Sequence, residues 1–222
     1  MNIDILYESY DLLVLSKPAG IAVECPREHG TPLVDIVARL KPGYNNCHRI
    51  DKGTSGLVLF ATKEWQKWIM SNWHDITTKV YLAIIINPVN YPNWVDGKAI
   101  CDLPVEVDKG VYKSATTSFE ILHVSNGLAL VMCRLEKNGR RHQIRQHLQF
   151  LGSPILGDLF YGGLPVHNGR PLLHAWKLFL TLKERELVFQ ASIPDDFKRI
   201  FKIDPKIWER LDEGATVPIG SF

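Results

Sequence analysis

Between Asn46 and Thr62 the chain reads NCHRIDKGTSGLVLFAT, a stretch that concentrates residue types capable of chemistry. Cys47, His48, Arg49 and Asp51 stand almost side by side, followed by a turn of small residues and an apolar run that reads as a buried strand. A second concentration is GRRHQIRQHLQFLG, in which Arg140, Arg141 and Arg145 are interleaved with His142 and His147. The chemistry open to these groups is metal binding, phosphate cradling, serine nucleophilic catalysis, or acid–base and nucleophilic work by Asp51.

Spacing removes the first three. Two histidines on a helix share one metal at i, i+4; His142 and His147 are i, i+5 and fall about 140° apart on a 3.6-residue helix. Adjacent Cys47 and His48 point to opposite sides of an extended segment, so no metal is expected. DKGTSG lacks the G-x-x-x-x-G-K-[ST] pattern and precedes a strand instead of opening a helix. There is no G-x-S-x-G, and nothing nominates a histidine for Ser55. In the second cluster, Ile144, Leu148 and Leu151 form an i, i+4, i+7 core stripe, with Arg145 about 60° from Leu148. An arginine on that border needs an acid. The residues alone leave two readings even: a structural ion pair with any nearby carboxylate, or a pairing with Asp51.

The elements that must position these groups follow from pattern. The chain has 222 residues, 45% of them hydrophobic, with a formal charge of +2, so it can bury a sizeable core and carries no bulk charge for nucleic acid. From Lys137 to Gly157, however, there are four basic residues and no acid. Cys25, Cys47, Cys101 and Cys133 are scattered without a C-x-x-C, which excludes a zinc ribbon or disulfide scaffold and fits a reducing compartment. The acidic start MNIDILYESYD is no signal peptide, and the longest apolar runs are too short to span a bilayer, so a cytoplasmic protein without a membrane partner is expected.

LLVLS reads as a strand ended by the KPAG turn. TPLVDIVARL reads as a helix capped by Thr31 with Pro32 at its first position. LVLFAT is a strand, and Thr62 opens a helix with Trp65, Trp68, Ile69 and Trp73 as its core stripe. VYLAIII is another buried strand. A hairpin turns at Asn126–Gly127, a helix runs from near Asn138 to Gly152, a strand pair turns at Lys183–Arg185, and closing helices are broken at Pro205. Strands joined in hairpins more than in β-α-β order predict an α+β fold: one domain over residues 1–222, built on a mixed, largely antiparallel sheet flanked by helices.

These landmarks resemble one family. HRIDKGTSGLVLFA resembles the aspartate signature H-R-L-D-x-x-T-S-G-L-L-L-F-A of the RluA-type pseudouridine synthases. In order, DLLVLSKPAGIAV, KVYLAI, SATTSFEIL, GRRHQIRQHLQFLGSPILGD with its following tyrosine, and LLHAWKL resemble that family's further motifs, over roughly residues 11 to 180. Ile50 replaces the usual leucine, a volume-conserving swap, and Arg141 stands where threonine is common.

The resemblance implies isomerisation of uridine to pseudouridine in large-subunit rRNA or tRNA, with RNA as partner and no cofactor; nothing in the sequence forces association, so a monomer is expected. It gives Asp51 as the catalytic aspartate, Arg145 as the arginine that pairs with it, and Tyr81 as the tyrosine that stacks on the target base. Arg49 is the residue that enters the space left by the flipped nucleotide. His48 and Lys79 would support the substrate site, and Arg140 and Arg141 would hold phosphates. No separate N-terminal RNA-binding domain is expected, so target choice falls to loops such as Asn87–Tyr112 and Leu164–Pro171, or to a partner. The alternative is an RNA-binding protein of the same fold without catalysis.

Overall fold

The computed structural model describes residues 3–24, 30–86, 93–137, 139–167, 169–183 and 185–213; Cys25, Asn138 and residues 87–92 lie outside them. Along the chain run β1 (Asp4–Glu8), β2 (Leu12–Lys17), α1 (Leu33–Leu40), β3 (Tyr44–Asn46), β4 (Ser55–Thr62), α2 (Lys63–Ile76), β5 (Thr77–Ile86), β6 (Lys98–Cys101), β7 (Val105–Asp108), β8 (Val111–Lys113), β9 (Thr116–Ser125), β10 (Leu128–Lys137), α3 (Gln143–Phe150), a 3₁₀ turn (Leu159–Tyr161), β11 (Leu173–Leu182), β12 (Arg185–Gln190), α4 (Asp195–Ile200) and α5 (Pro205–Asp212). The class is α+β. The chain packs as two compact units: Met1–Thr78 with Ala175–Ser192 and Asp212–Phe222, and Lys79–His174 with Ile193–Leu211. No helix among the described residues is long and apolar enough to cross a membrane.

In the first unit the strands lie in the order β1-β2-β4-β11, with β3 also pairing β4 and β12 pairing β11. β2 and β4 pair antiparallel, Leu13 opposite Phe60 and Lys17 opposite Gly56. Both strands are apolar almost throughout instead of alternating, which fits strands covered on both faces. Each fully buried leucine there contributes roughly 1.5–3 kcal/mol. α1 begins at Leu33, with Pro32 at the cap position in extended conformation. The first turn is accepted by the Pro32 carbonyl, which receives Asp35 N–H at 3.2 Å, so Thr31 is not the cap.

The tryptophan stripe of α2 also differs from expectation. Only Ile69 is buried; Trp68 is 43% exposed and Trp65 and Trp73 are half-buried. The indoles cover surface instead of filling core: Trp65 and Trp68 meet edge-on at 5.7 Å, and Lys183 Nζ lies 5.3 Å from the Trp65 ring. Large amphipathic rings commonly work this way.

In the second unit the strand order is β5-β10-β9-β6, with β7 and β8 as a separate pair. β9 and β10 turn at Asn126 and Gly127, whose φ values of 51° and 74° are those of a type I′ hairpin. The span expected as a target-choosing loop, Asn87–Tyr112, instead holds β6, β7 and most of β8 among its described residues. α3 starts at Gln143, later than the Asn138 expectation, because His142 takes a left-handed φ of 54° and breaks the helical path.

Candidate active site

Asp51 stands half-buried at the head of the turn that leads into β4. Thr54 N–H closes that turn on the Asp51 carbonyl at 3.0 Å. The next carbonyl, Lys52, accepts Gly20 N–H at 2.7 Å and the Lys17 amine at 3.3 Å; that amine also donates to the Pro18 carbonyl at 2.8 Å. Lys17 is fully buried, and an ammonium removed from water requires acceptors. It therefore ties the KPAG turn to the Asp51 turn. Behind them Gly56 has φ 108°, and a Cβ there would stand 2.1 Å from the Ala175 carbonyl oxygen. Only glycine lets β4 approach β11 this closely.

His48 Nε2 accepts the Leu59 N–H at 3.1 Å, and its ring packs on Trp73 at 5.0 Å. The imidazole thus takes the place of a backbone acceptor along β4. Cys47 is buried and burial pushes its thiol up to about 12, so it is no thiolate ligand at neutral pH. Arg49 is different: its side chain is 67% exposed and lies 3.6 Å from Glu24. Such a pair contributes about 0–1 kcal/mol, so the guanidinium can leave it at small cost.

In the second unit Tyr81 is buried on β5 opposite Cys133, and Lys79 lies opposite Leu135. Burial pushes the Lys79 amine down to about 8. A Cβ at Gly139 would stand 2.3 Å from Lys79 Nζ, so the amine lies directly against the chain where the Arg140–Arg141 turn begins. Arg140 is half-buried, its Nε 3.5 Å from the Ser114 carbonyl, and Arg141 is exposed.

α3 is buried from Gln143 to Leu148, and its polar side chains are satisfied one by one. Gln143 accepts Arg140 N–H at 2.9 Å and donates to the Thr116 carbonyl at 3.1 Å and Thr117 Oγ1 at 3.0 Å. Thr117 Oγ1 is 2.9 Å from His147 Nδ1, and His147 Nε2 is 2.9 Å from the Leu103 carbonyl. A carbonyl can only accept, so Nε2 carries the proton, Nδ1 accepts from the Thr117 hydroxyl, and that hydroxyl accepts from Gln143. Burial lowers the His147 pKa, in keeping with the neutral ring. Gln146 closes on β7: its Oε1 accepts Glu106 N–H at 2.9 Å and its Nε2 donates to the Glu106 carbonyl at 3.0 Å. His147 is thus committed to structure, and no group of three or more metal-ligating side chains is found among the described residues.

Arg145 donates to Asp158 through Nε at 2.6 Å and Nη2 at 2.8 Å, a forked pair in which the acid is almost wholly buried. Its guanidinium carbon lies 4.9 Å from the centre of the Tyr161 ring. The ion-pair reading of Arg145 therefore has its carboxylate in Asp158. The backbone around the acid is folded on itself, with Tyr161 and Gly163 N–H donating to the Asp158 carbonyl at 3.1 and 2.8 Å.

Of the residues expected from sequence, His48, Arg49 and Asp51 belong to the first unit, and Lys79, Tyr81, Arg140, Arg141 and Arg145 to the second. Sequence reasoning missed Lys17, Asp158 and the Gln143–Thr117–His147 chain. KPAG read only as a turn, and the aspartate of GSPILGD carried no role.

Comparisons with known proteins give the family. Residues 11–150 match the family described as RNA pseudouridylate synthase. The chain is 33% identical over 229 residues to the uncharacterized RNA pseudouridine synthase YlyB of Bacillus subtilis, covering 91% of this chain and 73% of that one. It is 31% identical to the dual-specificity RNA pseudouridine synthase RluA of Escherichia coli O157:H7, covering 87% of this chain and 93% of that one. Among solved structures, human RNA pseudouridylate synthase domain containing 4 shares the fold, with a TM-score of 0.72 at 24% identity over 87% of this chain and 89% of that one. The chain belongs to the RNA pseudouridine synthase family, the isomerases that convert uridine to pseudouridine within RNA.

Proposed function

We propose that this enzyme isomerises uridines in structured rRNA or tRNA with Asp51 as its catalytic aspartate. The observation that carries the assignment is the setting of Asp51: a half-buried carboxylate on a turn whose neighbouring carbonyl is fastened by a buried lysine. Such a mount holds a reacting group within the small tolerance that catalysis requires. The C1′–N1 bond breaks, the uracil turns, C1′ bonds to C5, and the C5 proton is lost. The ionised carboxylate acts at the sugar, as nucleophile at C1′ or as the base that promotes a glycal-like intermediate.

Tyr81 stacks on the base, and Arg145, always charged, serves as the arginine of the active site. The target nucleotide is extruded from its stack at a cost of a few kcal/mol, and Arg49 fills the space it leaves; its loose exposed pairing with Glu24 suits that movement. Lys79 and His48 are assigned to substrate binding, and Arg140 and Arg141 to phosphates. Atoms balance without a cofactor, so none is assigned. The enzyme works in the cytoplasm as a monomer.

The test is tritium release from RNA labelled at uridine C5, with tRNA and large-subunit rRNA transcripts in separate reactions. Release from one of them names the target class. Salt-sensitive binding without release from either would replace the isomerase reading with that of an RNA-binding protein.

A further inference from the structure

The 3₁₀ turn Leu159–Tyr161 puts an aromatic ring where packing gives no reason for one. Phe160 is 78% exposed and Leu159 64%, with Leu164 and Phe150 also on the surface. Single exposed apolar residues are ordinary, but Phe160 is held in place by other rings. It meets Tyr161 edge-on at 4.8 Å and His142 at 6.4 Å. His142 Nδ1 and Tyr161 Oη share a hydrogen bond of 3.0 Å, and Tyr161 lies against the Arg145 guanidinium that Asp158 grips. The rings form a ladder from a buried ion pair to solvent, with Phe160 as its outer rung. The residue before His142 is Arg141, exposed and cationic, its carbonyl fixed by Gln146 Nε2 at 3.3 Å.

A rigid exposed ring with a cation close by in the chain is the combination with which proteins hold single-stranded nucleic acid: every base has a π-face to stack, and the cation follows the backbone. We propose that Phe160 is the stacking platform for an unpaired base of the RNA substrate other than the isomerised uridine, with Arg141 on a neighbouring phosphate. The inference rests on the reading that this chain acts on RNA. An apolar protein partner would need no exposed cation next to His142 in the chain and no ring braced edge-on by its neighbours.

The test measures binding of an oligouridylate and of an rRNA transcript over a range of salt, for wild type, Phe160→Ala, Phe160→Trp and Arg141→Ala. Phe160→Ala is expected to weaken binding about tenfold at every salt concentration. Phe160→Trp restores it, because the larger ring stacks at least as well. Arg141→Ala is expected to reduce the slope of log K against log salt by about one, a change that loss of stacking does not produce. Ultraviolet crosslinking of wild type to the oligouridylate should yield a uridine adduct on the peptide carrying Phe160.

An unchanged affinity for Phe160→Ala, or adducts confined to other peptides, overturns the platform, as does wild type that binds neither RNA. The two readings fail separately. An adduct at Phe160 with no tritium release keeps the platform and removes the isomerase. Full release with an indifferent Phe160→Ala keeps the isomerase and removes the platform.

Discussion

At Asp51 the chain is fastened through its backbone: Thr54 and Gly20 donate to successive carbonyls, and Lys17 reaches one of them from the core. At Arg145 the fastening is through side chains, with Asp158 gripping the guanidinium and Gln143, Gln146 and His147 binding the helix to three other segments. The difference predicts how each region breaks. A backbone-held turn tolerates a change in the side chain it presents but not a change in how closely its strands approach. A side-chain-held helix fails when one partner is removed, because each buried group is then left with an unmet charge or hydrogen bond.

The largest effect on stability is expected for Asp158→Ala, which strands a buried guanidinium and costs about 3–5 kcal/mol, read as a shift in the urea midpoint at unchanged slope. Replacing the pair together, Arg145→Met with Asp158→Leu, should recover most of that loss; a double variant no more stable than the single one would show that the pair is not the cause. Gly56→Ala comes next. Its Cβ has nowhere to go but the Ala175 carbonyl, and φ is positive, so a loss of about 3 kcal/mol is expected; a variant as stable as the parent would contradict a backbone-held turn.

A pH effect follows from His147. The unfolded chain takes up the imidazole proton near pH 6.5, while the buried ring resists it. The unfolded state therefore binds more protons as the pH falls below 6.5, and stability declines toward the lower native pKa. His147→Gln should flatten that limb between pH 7 and pH 5 in a series of chemical melts. The smallest effect is expected for Gly139→Ala, where the added methyl crowds the flexible end of Lys79 and otherwise makes ordinary contact with Leu135 at 3.7 Å. Stability should change by less than about 1 kcal/mol, while displacement of the amine lowers RNA turnover; equal turnover would remove Lys79 from the site.

Much of the first region was legible because its signals are local. Leu12–Ser16 and Leu57–Thr62 are apolar runs of strand length bounded by turn residues. The second region was legible only in outline. The start of α3 depends on Gln143 reaching Thr117, 26 residues away in sequence, and on His142 turning left-handed, neither of which helical periodicity encodes. Arg145 visibly needed an acid, but its acid lies 13 residues further on beyond a turn, and spacing does not choose among carboxylates at that range. The tryptophans of α2 misled because helical spacing reports a shared face and not whether that face is covered.

The central claim, that Asp51 performs the chemistry from a turn that does not depend on its side chain, is tested most directly by Asp51→Asn. Tritium release at uridine C5 and thermal unfolding would be measured on the same preparation. The account predicts turnover at least about a thousandfold below wild type, with a melting temperature within about 2 °C, since a partly exposed substitution that keeps shape changes stability by only about 0.5 kcal/mol. Turnover close to wild type in the folded variant would contradict it.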